Sequence, residues 1–197
     1  MTIHPLIGTG VALVTPFDAQ LNIDFQGLER LLTHVAASNV RYLVVHGTTG
    51  ETATTTMEEK KKVLTFVKAH APQRLAIVCG ISGNDTREVL KKIAATDFQD
   101  INAVLIASPH YNRPSQQGIY EHYKALADAC PVPLVLYNVP ARTGANIEAA
   151  TTLRLSKHAN IIGIKEASGN LLQCMAIAKD KPEDFLLISG EDMLTLP

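Results

Sequence analysis

Apolar and polar positions alternate between two kinds of text along this chain. Short apolar runs rich in β-formers end in polar or glycine-containing turns: VALVTPF from Val11, YLVVHG from Tyr42, LAIVCG from Leu75, AVLIAS from Ala103, PLVLYN from Pro133, IIGIKE from Ile161 and FLLISG from Phe185. Between them lie amphipathic stretches of helical period: FQGLERLLTHVAAS, TMEEKKKVLTFVKAH, DTREVLKKIAAT, QGIYEHYKALADAC, IEAATTLRLSKH and GNLLQCMAIAKD. The short runs are apolar on both faces, as parallel strands covered by helices are. One βα unit recurs roughly every 30 residues, the arithmetic of a (β/α) barrel or a doubly wound sheet. Asp85 with Glu88 reads as a capping box, and Pro72 and Pro131 follow helix ends.

No linker, low-complexity tract or composition shift interrupts the pattern, so residues 1–197 read as one domain. The strand candidates number seven, whereas a closed barrel of this type has about eight. The sequence stops at Leu196-Pro197, in what should be the loop or helix after the seventh strand. An open piece would leave two unpaired edges, so the reading favours an α/β (β/α)8 barrel, incomplete after its seventh strand, over an open sheet.

Composition changes this picture little. With 46% hydrophobic and 19% charged residues and a net charge of −1, the chain is ordinary globular material. The charge gives no electrostatic reason to expect nucleic acid or an anionic membrane. No apolar run approaches the roughly 18 residues of a membrane span. The opening MTIHPLIGTG lacks the basic-then-apolar pattern of a signal peptide. Cys79, Cys130 and Cys174 lie far apart without CxxC spacing and read as buried free thiols in a reducing cytoplasm. The histidines show no metal-binding spacing, so no metal is expected. GTG at Gly8–Gly10 precedes a strand and lacks a third glycine, which excludes a dinucleotide fingerprint.

The candidate chemistry sits at strand ends. Of eleven lysines, Lys165 alone directly ends an apolar run. In a barrel, the C-terminal ends of strands face the active site. A desolvated lysine there has a lowered pKa, and a neutral amine attacks a ketone to form a Schiff base. Gly163, two residues earlier on the same face, would leave room for a ligand. A lysine that snorkels to solvent or pairs with Glu166 is the competing reading. Tyr137 occupies the same relative place on its own strand and suits proton transfer, or else a core position with a satisfied hydroxyl. Arg142, in the Pro-Ala-Arg-Thr-Gly loop, suits a substrate carboxylate, or else is a solvated surface residue. Thr48 and Thr49 lie between Gly47 and Gly50, in a turn that could present backbone N–H groups to a small carboxylate.

Together, GTGVALVTPF, HGTTGET, SPHYNRPSQQGIYEHY, LYNVPARTG, IIGIKEASGN and LLISGED resemble, in order and spacing, the dihydrodipicolinate synthase family within the N-acetylneuraminate lyase superfamily of class I aldolases. The resemblance runs the whole length, and YNVP followed by ARTG favours the synthases over the neuraminate lyases. It implies a (β/α)8 barrel with a helical C-terminal extension that has no counterpart here, assembled as a homotetramer, a dimer of dimers. It implies Lys165 as the Schiff-base lysine that takes pyruvate, with no other cofactor, and Tyr137 as its proton relay. Thr48 would link Tyr137 to Tyr111, a second tyrosine that reaches across a dimer interface. Thr48 and Thr49 would bind the pyruvate carboxylate, Arg142 the carboxylate of the incoming aldehyde, and Gly190 would lie close to bound pyruvate. The implied reaction condenses pyruvate with L-aspartate 4-semialdehyde, on the route to diaminopimelate and lysine. Asn84 and Glu88 match the family's lysine-effector site. His110 stands where such enzymes usually carry a tyrosine and Lys60 where they commonly carry a histidine, so weak or absent feedback by lysine is expected. Another pyruvate-dependent class I aldolase, of 2-keto-3-deoxy-sugar acid or neuraminate type, or an inactive fragment are the competing readings.

Overall fold

In a computed structural model, which describes residues 4–195, all seven apolar runs form strands: β1 (Gly10–Ala12), β2 (Tyr42–Val45), β3 (Ala76–Gly80), β4 (Ala103–Ala107), β5 (Leu134–Asn138), β6 (Ile161–Glu166) and β7 (Leu186–Ser189). The amphipathic stretches form α1 (Phe25–Ala36), α2 (Met57–His70), α3 (Thr86–Ala94), α4 (Gln116–Ala129), α6 (Ala149–Leu155) and α7 (Leu171–Asp180). A one-turn helix that periodicity cannot reveal, α5 (Pro140–Thr143), opens with its proline at the first helical position, where a missing N–H costs nothing. The close of the chain that the sequence reading placed after β7 includes residues 196 and 197, which lie outside the described residues.

The chain packs as two compact units. The first holds the described residues up to Gly80 with Phe98–Ala103, the second Ile81–Asp97 with the described residues from Val104 onward. In the first, β1, β2 and β3 pair in parallel, with Val11 opposite Leu43 and Leu43 opposite Ile77. Every residue of β2 is buried. Leu28, Leu32 and Val35 of α1 and Val63, Leu64 and Val67 of α2 are buried on the apolar faces of their helices. Burying each such side chain contributes about 1.5–3 kcal/mol. In the second unit, β4 to β7 pair in parallel and in sequence order. Ile119, Tyr123 and Leu126 of α4, Leu155 of α6 and Ile177 of α7 are buried there. Leu172 and Met175 of α7 are exposed.

The caps differ in part from expectation. Asp85 does cap α3, accepting from the Arg87 N–H at 2.9 Å, but Glu88 does not reach back to it. Glu88 pairs with Lys91 one turn on, at 2.8 Å, so there is no capping box at this end. The box lies instead on α2, where Thr56 accepts from the Glu59 N–H and the Glu59 carboxylate accepts from the Thr56 N–H.

Candidate active site

β5 and β6 set the site's central pair. Their register places Tyr137 opposite Lys165 and Asn138 opposite Glu166. Each of the two candidate residues is thus the penultimate residue of its strand, as the sequence placed them. Nζ of Lys165 lies 4.6 Å from the centre of the Tyr137 ring. Lys165 is half-buried, and that burial holds its ammonium below the ordinary lysine value, against an opposing pull from the charge of Asp192. Desolvation penalises the charged form because low-dielectric surroundings replace water. The amine therefore releases its proton more readily than a surface lysine and can act as a nucleophile.

Lys165 is thus partly covered, and among the described residues no ion pair joins it to Glu166. Successive strand residues point to opposite faces, and the Glu166 carboxylate is buried on the other side, held by Asn138 and Gln173. Tyr137 is buried, with 9% of its surface exposed, so the phenol is held rather than solvated.

Gly163 has a different reason from the one expected. A Cβ there would stand 2.6 Å from the Leu186 carbonyl oxygen and 2.7 Å from the Leu186 Cβ. The glycine lets β7 close on β6; the space it leaves is filled by the neighbouring strand. A register shift between Leu134 and Val135 leaves Ile162 without a partner on β5, and the alternation that puts Gly163 and Lys165 on one face holds from Gly163 onward. Gly190 does meet the lysine: a Cβ there would come within 2.8 Å of Lys165 Cε and 3.1 Å of its Cγ.

The loops that follow β4 and β5 meet each other. The Tyr111 N–H donates to the Thr143 carbonyl at 3.0 Å, joining the HYNRP segment to the loop that carries Arg142. Thr143 is buried and fastens that loop through Val139 O and Ala145 O. Arg142 itself is exposed, and among the described residues it forms no ion pair. Tyr111 has a left-handed backbone, φ 71°, and 87% of its surface is exposed. A bulky residue in that region is strained, and here the strain presents a large aromatic ring to solvent.

Thr48 and Thr49 belong to the first unit, where they open a single 3-10 turn, Thr48–Gly50, and are exposed. The first N–H groups of such a turn have no partner within it, which is the property an anion nest needs. Before the turn, His46 is buried with φ 60°, and its Nε2 donates to the Lys60 carbonyl at 2.9 Å. Burial lowers the His46 pKa to about 4. Of the effector-site candidates, Asn84 donates to the Asn112 side chain at 3.2 Å, two residues beyond the exposed His110. Glu88 is held by Lys91. Lys60 Nζ, in the first unit, donates to the Thr55 carbonyl at 2.5 Å.

A polar network behind the strand ends went unread in the sequence. Asn138, Asn146, Glu166 and Gln173 hydrogen-bond one another. Adjacency to Tyr137 and Lys165 singles out Asn138 and Glu166, but nothing in the sequence pairs them with partners on α7 and in the loop before α6. Cys79 and Cys130 are buried and Cys174 is half-buried, with burial raising the pKa of the last two. Among the described residues, no cluster of three metal-ligating side chains occurs, and no helix is long and apolar enough to cross a membrane.

The fold and this geometry define a class: α/β chains of repeated βα units with a desolvated lysine and a buried tyrosine side by side at the C-terminal ends of neighbouring strands. Within that class, the chain belongs to the dihydrodipicolinate synthetase family, whose model matches residues 5–197. It is 48% identical over 194 residues, 98% of its own length, to the 4-hydroxy-tetrahydrodipicolinate synthase of Cytophaga hutchinsonii, and spans 65% of that relative. The crystal structure of dihydrodipicolinate synthase from Aquifex aeolicus superposes with a TM-score of 0.91 at 36% identity, over 96% of this chain and 65% of that one. The chloride-inhibited dihydrodipicolinate synthase of Acinetobacter baumannii, solved in complex with pyruvate, superposes with a TM-score of 0.89 at 37% identity, over 93% of this chain and 63% of that one. The βα repeat read from the sequence is thus the fold of these synthases, of whose length the chain spans somewhat under two thirds.

Proposed function

We propose that this chain carries the Schiff-base chemistry of 4-hydroxy-tetrahydrodipicolinate synthesis, with pyruvate and L-aspartate 4-semialdehyde as substrates. The observation that carries the reading is the contact of Lys165 with Tyr137 at the ends of β6 and β5. The pyruvate in the A. baumannii relative supports the choice of keto acid. In this reading the neutral amine of Lys165 adds to the pyruvate carbonyl, and loss of water gives the imine. Loss of a methyl proton gives the enamine, whose carbon attacks the aldehyde. The second substrate's own amino group then attacks the imine carbon, closing the ring and displacing Lys165, so that the one water lost at imine formation is the net by-product.

Each remaining residue has a place in this reading. Tyr137 carries the protons, linked through Thr48 to Tyr111. Thr48 and Thr49 hold the pyruvate carboxylate, and Gly190 keeps space beside the lysine. The exposed guanidinium of Arg142 receives the carboxylate of the second substrate, which favours the synthase over aldolases that act on sugar acids. The reaction needs no cofactor beyond Lys165 and no metal. The chain is read as one barrel domain of a cytoplasmic homotetramer, and the exposed, strained Tyr111 suits a ring that crosses to a neighbouring copy. Asn84, Glu88 and His110 mark an effector site that responds weakly to lysine.

The test is borohydride reduction in the presence of pyruvate, followed by mass measurement of the intact chain and its peptides. The expected result is one pyruvate adduct, confined to the Lys165 peptide and lost in Lys165→Ala. A folded chain with no adduct, or with the adduct on another lysine, overturns the reading.

A further inference from the structure

Behind the strand ends that present Tyr137 and Lys165 lies a buried carboxylate with no counter-ion. Glu166 is 3% exposed, and none of the ion pairs among the described residues involves it. An unpaired buried charge is costly unless its lone pairs are filled. They are filled here. Asn138 Nδ2 reaches both carboxylate oxygens, at 3.1 and 3.0 Å, Gln173 Nε2 donates to Oε2 at 2.8 Å, and the Ser168 N–H donates to Oε1 at 2.8 Å.

The donors are themselves oriented. Asn138 Oδ1 accepts from the Ile147 N–H at 2.9 Å, which turns its amide nitrogen toward Glu166. Gln173 Oε1 accepts from Asn146 Nδ2 at 2.9 Å, which does the same for Gln173. A carboxylate accepts and never donates, so this arrangement is built for the ionised group. An amide of the same shape would turn an N–H₂ toward groups that also donate. The main chain tightens the same spot: the Ala167 N–H donates to Asn138 O, and the Gly190 N–H donates to Glu166 O, each at 2.8 Å.

We infer that Glu166, gripped by Asn138 and Gln173, is a positioning residue for the Lys165–Tyr137 pair. Asn138 and Glu166 face each other in the rung next to Tyr137 and Lys165, on the opposite face of the sheet. Their bond fixes how far the two strand ends stand apart and how they are rotated, and so where the amine rests on the ring. Gln173 ties the grip to α7, and the Gly190 N–H extends it to the glycine that touches Lys165. The role rests on the Schiff-base reading of Lys165; the grip itself does not.

The experiment compares the full chain with Glu166→Gln and Gln173→Met, each first checked by circular dichroism and a cooperative melt. The pH profile of Lys165 acetylation by acetic anhydride is read without pyruvate, by peptide mass. Borohydride-trapping rates are then read against pyruvate concentration. In Glu166→Gln the acetylation midpoint should rise toward that of an ordinary lysine, because a loosened lysine regains water. Trapping at saturating pyruvate should slow on the order of ten- to a hundredfold, as misplacement of a reacting group does, with half-saturation little changed. Gln173→Met, which removes one donor, should move both in the same direction by less, and it decides alone if Glu166→Gln does not fold. A folded variant with the parent's acetylation profile overturns the inference. A parent chain that forms no adduct overturns the Schiff-base reading instead, and the acetylation profiles still decide the grip.

Discussion

Lys165 and Tyr137, twenty-eight positions apart in the chain, face each other in register on adjacent strands, with the lysine nitrogen 4.6 Å from the ring centre. Burial acts on that amine against both the ring face and the charge of Asp192. The ring face favours a cation by about 0.5–2 kcal/mol, whereas burial disfavours it, and the net shift is downward. Tyr137→Phe keeps the ring and removes the hydroxyl. It should leave Lys165 able to form the adduct but slow trapping by roughly 10²–10⁴-fold, the worth of a positioned acid–base group. Rapid-quench borohydride trapping measures this, and an unchanged rate would remove Tyr137 from the proton path.

Gly190→Ala should lower both stability and reactivity. The new methyl would come 2.8 Å from Lys165 Cε and 2.9 Å from Ala167 Cβ, so the lysine must move. The lysine side chain can swing aside whereas Ala167 Cβ moves only with its main chain, so the melting temperature should fall by several degrees, corresponding to about 1–3 kcal/mol. The trapped adduct should also fall sharply. A thermal melt beside peptide mapping checks both, and full trapping with a displaced melt would reverse the argument.

Acid should weaken the fold in a defined window. His122 is buried, its Nδ1 paired with the Thr86 hydroxyl at 2.8 Å and its Nε2 without a hydrogen-bond partner among the described residues. Burial lowers its pKa from 6.5 to about 4, so the native state holds the neutral ring. The unfolded chain takes up the proton first. Stability contributed by the neutral ring is therefore complete above 6.5 and is lost as pH falls from there toward about 4. His46, lowered to about 4 by burial, adds to the same slope. The loss is on the order of 3 kcal/mol at most for each ring. Urea unfolding of the parent and of His122→Gln across this window should show a shallower slope in the variant.

L-Lysine at millimolar concentration should leave the trapping rate nearly unchanged. Under the proposed function, the Lys60 cation would repel the ammonium group of a lysine effector. A marked fall in rate with added lysine would contradict this, and Lys60→His should make the rate more sensitive to lysine.

The fold was largely written in the pattern of apolar runs. Seven strands and six helices fall where periodicity put them, because a residue's preference for a buried parallel strand or a half-buried helix is local. The exceptions have local causes of another kind. Pro140–Thr143 is too short to carry a period. The Asp85 and Glu88 spacing fits a capping box, but Lys91 offers Glu88 an opposite charge one turn away, and the ion pair wins. At Gly163, sequence showed that a side chain was missing and could not show that Leu186 takes its place.

The site divides along the same line. Sequence alone determined that Lys165 and Tyr137 lie at the C-terminal ends of their strands, since an ionisable group late in an apolar run is visible in one dimension. Tertiary structure alone decided that the two share one rung and that burial lowers the amine's proton affinity. It also decided that Glu166 turns away from Lys165 into a ring of amide donors. Registers between strands and the dielectric around a charge arise from contacts between residues distant in the chain, and a single sequence carries no term for them.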